Sequence, residues 1–212
     1  MSVTVAKTAG FCFGVRRAVD LAEQQAGKNG VIYAYGEIIH NMHEIQRLEE
    51  RGVRTAHTLE EIPEGGKVLI RAHGVPRTVY DTLAAKKCEV FDATCPFVQK
   101  IHRIVDRESR DGRLIVILGS AGHPEVVGIQ GWCGESVVLE GEEQARMFTE
   151  RPEMVDRPLS VVAQTTVNRA IWNISVGLIK KRCTNLKIFD TICKATDERQ
   201  SEARCLPVRR IK

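Results

Sequence analysis

No stretch of the chain approaches the roughly 18 consecutive apolar residues of a membrane-crossing helix, so none is expected. The amino terminus, MSVTVAKTAG, has no apolar core of the signal-peptide kind, which points to a cytoplasmic protein. Dense basic clusters are missing too. Lys and Arg total 31 against 27 Asp and Glu, for a net charge of +4. The basic pairs at 16–17, 86–87, 180–181 and 209–210 are scattered, as on solvated helix faces, and no nucleic-acid surface is expected. The seven cysteines have no close spacing, which argues against a disulfide framework, a zinc ribbon or a ferredoxin-type run. In the cytoplasm they would be reduced thiols. The glycine-rich stretch GSAGHPE (119–125) lacks the Gly-Lys-Ser/Thr ending of a phosphate-binding loop, so a nucleoside triphosphatase is rejected.

What is present is alternation. Strand-like runs at 31–36, 67–72, 88–93, 113–119, 136–140, 159–165 and 186–192 are mostly followed by helix-like runs, with short loops and no low-complexity tract. Such a rhythm predicts an α/β protein with parallel sheets and crossover helices. A length of 212 residues suits one large domain or two to three small ones. FDATC (91–95) and FDTIC (189–193) each close a strand pattern and precede a helix, and Pro96 stands where proline is favoured as a first helical residue. The echo predicts two similar units that divide near Cys95.

In parallel sheets, ligands collect beyond the carboxyl ends of the strands. Cys12, Cys95 and Cys193 all stand there, each just before a helix whose dipole favours a thiolate. Three such thiolates would make a soft metal site, either an iron–sulfur cluster with one open iron or a zinc ion with one open position. Cys88, Cys133, Cys183 and Cys205 do not share the position and read as ordinary small apolar residues. His40, His73 and His123 follow strand runs in the same way, and could cradle a phosphate, ligate a metal or shuttle protons. His43, His57 and His102 fall within helix or loop patterns and read as structural. Glu125 at a helix start is either a proton donor or a carboxylate complementing the dipole. Thr165 is either a site hydroxyl or a helix cap.

Seven motifs in order, GFCFGVRRAV, YGEIIHN, RAHGV, FDATCPFV, GHPEV, QTT and FDTIC with its following AT and RQ, closely resemble the 4-hydroxy-3-methylbut-2-enyl diphosphate reductase family. The resemblance runs from residue 3 to about residue 203. It implies a trefoil of small parallel-sheet α/β lobes around a central 4Fe-4S iron–sulfur cluster with three cysteine ligands and one open iron. By motif, Cys12, Cys95 and Cys193 would hold the cluster. His40, His73, His123 and Thr165 would bind the substrate, and Glu125 would deliver a proton. The implied reaction removes the hydroxyl of an allylic diphosphate to give isopentenyl and dimethylallyl diphosphate in the methylerythritol phosphate pathway. A ferredoxin or flavodoxin would be the electron donor.

The lobes expected from these motifs are 13–95 and 96–192, with 1–12 and 193–212 as the remnant of a third. The family continues well beyond its third cysteine, with further serine and asparagine ligands to the diphosphate, whereas this chain ends at Lys212, 19 residues past Cys193. The last nine residues, RCLPVRRIK, break the family's amphipathic pattern. An incomplete third lobe is therefore expected. A non-catalytic remnant that binds cluster or diphosphate weakly or not at all is the alternative to an active reductase.

Overall fold

The structure is a computed structural model that describes residues 5–28 and 30–206. It contains two four-stranded sheets, both wholly parallel. The first is built from β1 (Ile32–Tyr35), β2 (Val53–Ala56), β3 (Lys67–Ile70) and β4 (Glu89–Asp92), in the order β2-β1-β3-β4. The second takes β5 (Leu114–Leu118), β6 (Ser136–Leu139), β7 (Leu159–Ala163) and β8 (Leu186–Ile188), in the order β6-β5-β7-β8. The two orders are the same. α1 (Phe13–Gln25) leads into β1, α2 (Met42–Glu49) joins β1 to β2, a helix-free segment (57–66) joins β2 to β3, and α3 (Arg77–Ala85) joins β3 to β4. Then α4 (Pro96–Arg110), α5 (Pro124–Gln130), α6 (Glu142–Thr149), α7 (Arg169–Arg182) and α8 (Lys194–Cys205) follow in turn.

Parallel strands covered by helices on both faces must be apolar on both. In β5, Leu114, Val116 and Leu118 pack into one cluster with Phe148, Trp172 and Ile179, while Ile115 and Ile117 face Ile101, Val105 and Ile129 on the other side. All five residues of β5 and of β7 are buried. The first sheet is built likewise, with Leu69 on one face and Val68 and Ile70 on the other.

The echoed pentapeptides close the two sheets in one way. Asp92 Oδ1 accepts the amide of Thr94 at 2.8 Å, and Asp190 Oδ1 accepts the amide of Ile192 at 3.3 Å. Each aspartate thus turns the chain as it leaves its edge strand. Each cysteine amide then bonds to a carbonyl just past the neighbouring strand: Cys95 to Ala72 at 2.9 Å and Cys193 to Thr165 at 3.0 Å.

Two elements differ from the sequence reading. β2 is a strand that the pattern hid, because only four residues form it and Arg54 and Thr55 leave it no apolar run. The segment SVTVAKTAG (2–10), which reads in the sequence as a strand leading to Cys12, lies partly outside the described residues, and residues 5–10 are turn and irregular backbone.

Contacts between the lobes fix the site. Trp132 Nε1 donates to the Val75 carbonyl at 2.9 Å and Arg77 lies 4.8 Å over the same indole, on which His102 of the second lobe stacks at 5.2 Å. A Cβ at Gly131 would stand 2.3 Å from Pro76 Cβ, so only glycine permits this approach. The turn carrying His73 is thereby pressed against the helix carrying Glu125.

Candidate active site

The carboxyl ends of both sheets open on one cavity of about 240 Å³. All eight residues singled out by the sequence line it: Cys12, His40, His73, Cys95, His123, Glu125, Thr165 and Cys193. The inner strands β1, β3, β5 and β7 lead to the histidines, Glu125 and Thr165, and the edge strands β4 and β8 lead to Cys95 and Cys193.

Cys12, Cys95 and Cys193 are the N-cap residues of α1, α4 and α8, and Pro96 is the first residue of α4. They also line a second cavity of about 420 Å³ bounded by Lys7, Phe13 and Lys194. Gly14 faces this cluster: a Cβ there would fall 2.5 Å from Cys95 Sγ. The expectation that helix starts favour thiolates needs a correction at Cys95. Burial pushes its thiol up, the amides of Phe97 and Val98 pull it down, and the other two sulfurs push it up again, for a net rise. Without a cation among them, three gathered sulfurs oppose one another's ionisation. All seven cysteines are free, and the other four lie elsewhere.

The three histidines form a cluster. Ring centroids of His40 and His73 are 4.4 Å apart, His73 and His123 5.5 Å, and His40 and His123 5.7 Å. Their nearest nitrogens lie within 4.8 Å of one another, a spacing able to hold either a cation or the oxygens of an anion. Burial, with the charges of His40, His123 and Arg71, holds His73 at about 3, and burial also lowers His123. His73 Nδ1 is buried without a hydrogen-bond partner among the described residues. His123 caps α5, its Nδ1 accepting the Glu125 amide at 3.1 Å, which leaves its hydrogen on Nε2. His40 Nδ1 lies 3.3 Å from the Glu37 carboxylate.

Glu125 is only 2% exposed. Its Oε1 accepts the Thr165 amide at 2.6 Å and its Oε2 the Thr165 hydroxyl at 2.7 Å. Burial raises its pKa and outweighs these bonds. Thr165 is not a helix cap, since α7 is capped by Asn168, whose side chain accepts the Ala170 amide at 2.8 Å. The sequence reading missed Phe97, Thr196 and Arg199, which also line the cavity. All three stood inside the quoted motifs. Thr196 Oγ1 donates to the Thr165 carbonyl at 3.1 Å, and Arg199 reaches the carbonyls of Thr8 and Gly10 at 3.2 and 2.6 Å.

Two parallel α/β lobes thus bring a buried carboxylic acid, three imidazoles and three thiols to one cavity. The LytB protein family matches residues 3–210. The chain is 39% identical over 207 residues to the 4-hydroxy-3-methylbut-2-enyl diphosphate reductase of Clostridioides difficile (strain 630), covering 96% of this chain and 73% of the relative. The reductase of the same name from Alkaliphilus oremlandii (strain OhILAs) is 41% identical over 209 residues, with 97% and 73% covered. A solved structure of (E)-4-hydroxy-3-methyl-but-2-enyl diphosphate reductase, the terminal enzyme of the non-mevalonate pathway, superposes with a TM-score of 0.80 at 38% identity, covering 96% of this chain and 72% of that one. The corresponding reductase from Plasmodium falciparum gives a TM-score of 0.84 at 27% identity, with 91% and 61% covered. The chain belongs to the LytB family. Among the described residues, no helix is long and apolar enough to cross a membrane.

Proposed function

We propose that the protein reductively dehydroxylates 4-hydroxy-3-methylbut-2-enyl diphosphate to isopentenyl and dimethylallyl diphosphate, with a ferredoxin or flavodoxin supplying single electrons. The observation that carries this reading is the meeting of three thiols, three imidazoles and one buried carboxyl in a single cavity of a LytB-family fold. Overall, the alcohol takes up two electrons and two protons and releases water.

The donor set fits an iron–sulfur cluster. Cys12, Cys95 and Cys193 present three soft ligands, Gly14 leaves room for sulfur, and the mutual repulsion at Cys95 is relieved by a cation. When bound, the cluster supplies electrons and a Lewis-acidic iron with an open position. The chain's own residues do the rest. His73 and His123, with His40, offer ring N–H groups to the diphosphate oxygens and fix the short carbon chain, which is the positioning contribution to rate. That the Glu125 amide already occupies His123 Nδ1 favours an anion over a cation among the imidazoles. Glu125, whose protonated form burial favours, donates to the departing hydroxyl so that it leaves as water. Thr165 keeps that carboxyl aimed through its two bonds.

A strain without its own reductase, kept alive by an added mevalonate route, tests the reading. Expression of this chain is expected to restore growth when mevalonate is withdrawn. No growth, with iron-loaded protein present in the cells, would overturn it.

A further inference from the structure

Arg71 follows β3 directly and stands two residues before His73, yet it does not line the central cavity. Its side chain reaches across to the end of β1. The guanidinium carbon lies 5.9 Å from the Tyr35 ring centroid, and Nε donates to the Gly74 carbonyl at 3.4 Å. Gly36 makes its seat: at φ +72° a side chain is strained, and a Cβ there would fall 2.3 Å from Nη1. The guanidinium faces a cavity of about 450 Å³ whose wall includes Glu37, His40 and His73. Because His40 and His73 line both cavities, they stand between Arg71 and the cysteine side.

Half-buried cations are ordinarily paired with a carboxylate. Among the described residues no carboxylate hydrogen-bonds this one, and Glu37 and Tyr35 act on it through space only. Burial disfavours its charged form. Its charge in turn depresses His73 and His123. A fixed positive charge behind a cluster of imidazoles is complementary to an anion held in front of them.

We propose that Arg71 is a positioning residue for the diphosphate, acting from behind His40 and His73 as the unpaired counter-charge of the anion site. The proposal rests on the diphosphate reading of the histidine cluster. It names a residue outside that cavity and assigns Gly36 the task of making room for it.

Titration calorimetry with inorganic diphosphate on the anaerobic, iron-loaded full chain tests this. Arg71→Met, which keeps volume but not charge, is expected to weaken binding about tenfold, with a matching rise in KM that exceeds any fall in kcat. Arg71→Lys should recover most of the loss, and the difference should shrink at high salt. Gly36→Ala should weaken binding while the charge remains, by displacing the guanidinium. His73→Gln serves as the internal reference. If Arg71→Met binds like the wild type while His73→Gln is weakened, Arg71 has no such role and the histidine reading stands. If neither variant changes binding, the histidine reading itself fails. Equal losses in Arg71→Met and Arg71→Lys, with lowered Tm and iron content, would make Arg71 merely structural and overturn the proposal.

Discussion

Thr165 grips Glu125 twice, by its amide at 2.6 Å and by its hydroxyl at 2.7 Å, across forty residues of sequence. The grip orients an acid that burial would otherwise leave free to rotate, and it opposes part of the upward push that burial exerts on the carboxyl.

Replacing Glu125 with Gln keeps shape and hydrogen bonding but removes the proton. Turnover should fall by about 10²–10⁴-fold, while inorganic diphosphate still binds. Single-turnover kinetics beside a binding isotherm will show it, and a near-normal rate would place the proton donor elsewhere.

Thr165→Val removes the hydroxyl bond that pulls the Glu125 pKa down. The pKa should rise further. Because the acid works protonated, activity is lost as pH rises through that pKa, so the alkaline limb of kcat/KM should move to higher pH. An unmoved limb would separate Thr165 from proton delivery.

Gly14→Ala puts a methyl 2.5 Å from Cys95 Sγ, too close for the sulfur to keep its place. Alanine is otherwise a better helix former than glycine. The expected result is sharply reduced iron and sulfide content with Tm of the metal-free chain unchanged or slightly raised. Normal iron content would show that the three sulfurs do not hold the cluster in this arrangement.

Serine at Cys12, Cys95 or Cys193 should abolish the visible thiolate-to-iron absorbance. Serine at Cys88, which lies away from the cavity with its sulfur 3.7 Å from the Pro63 carbonyl, should leave it intact. Equal losses in both sets would remove the distinction on which the assignment rests.

His102 is 4% exposed and stacked on Trp132, and burial lowers its pKa from 6.5 to about 4. Between those values the unfolded chain binds a proton that the folded chain refuses. Stability is therefore expected to fall as pH drops from about 6.5 to about 4, by about 3 kcal/mol from this group. His73, lowered to about 3, acts in the same direction. Urea titrations of His102→Leu should show a flatter pH dependence than the wild type, whatever the offset at neutral pH.

Legibility followed the range of the signal. The aspartates of FDATC and FDTIC act two residues away, so their turns were visible as a repeated word, and the cysteines behind them as repeated positions. Strand ends announced the histidines because the sheets are parallel. β2 was hidden because Arg54 breaks a four-residue pattern. The seating of Arg71 against Gly36 and the clasp of Thr165 on Glu125 join residues far apart in the sequence, so no local pattern encodes them. At Cys95 burial and the neighbouring sulfurs, which no local pattern encodes, outweigh the amides at the helix start and reverse the sign expected from the dipole.

The most direct measurement is anaerobic turnover of 4-hydroxy-3-methylbut-2-enyl diphosphate by iron-loaded protein with a one-electron donor, with products identified by mass. The account predicts two electrons consumed per substrate and release of isopentenyl and dimethylallyl diphosphate. Protein with full iron and sulfide content that binds diphosphate yet leaves the alcohol untouched would contradict it.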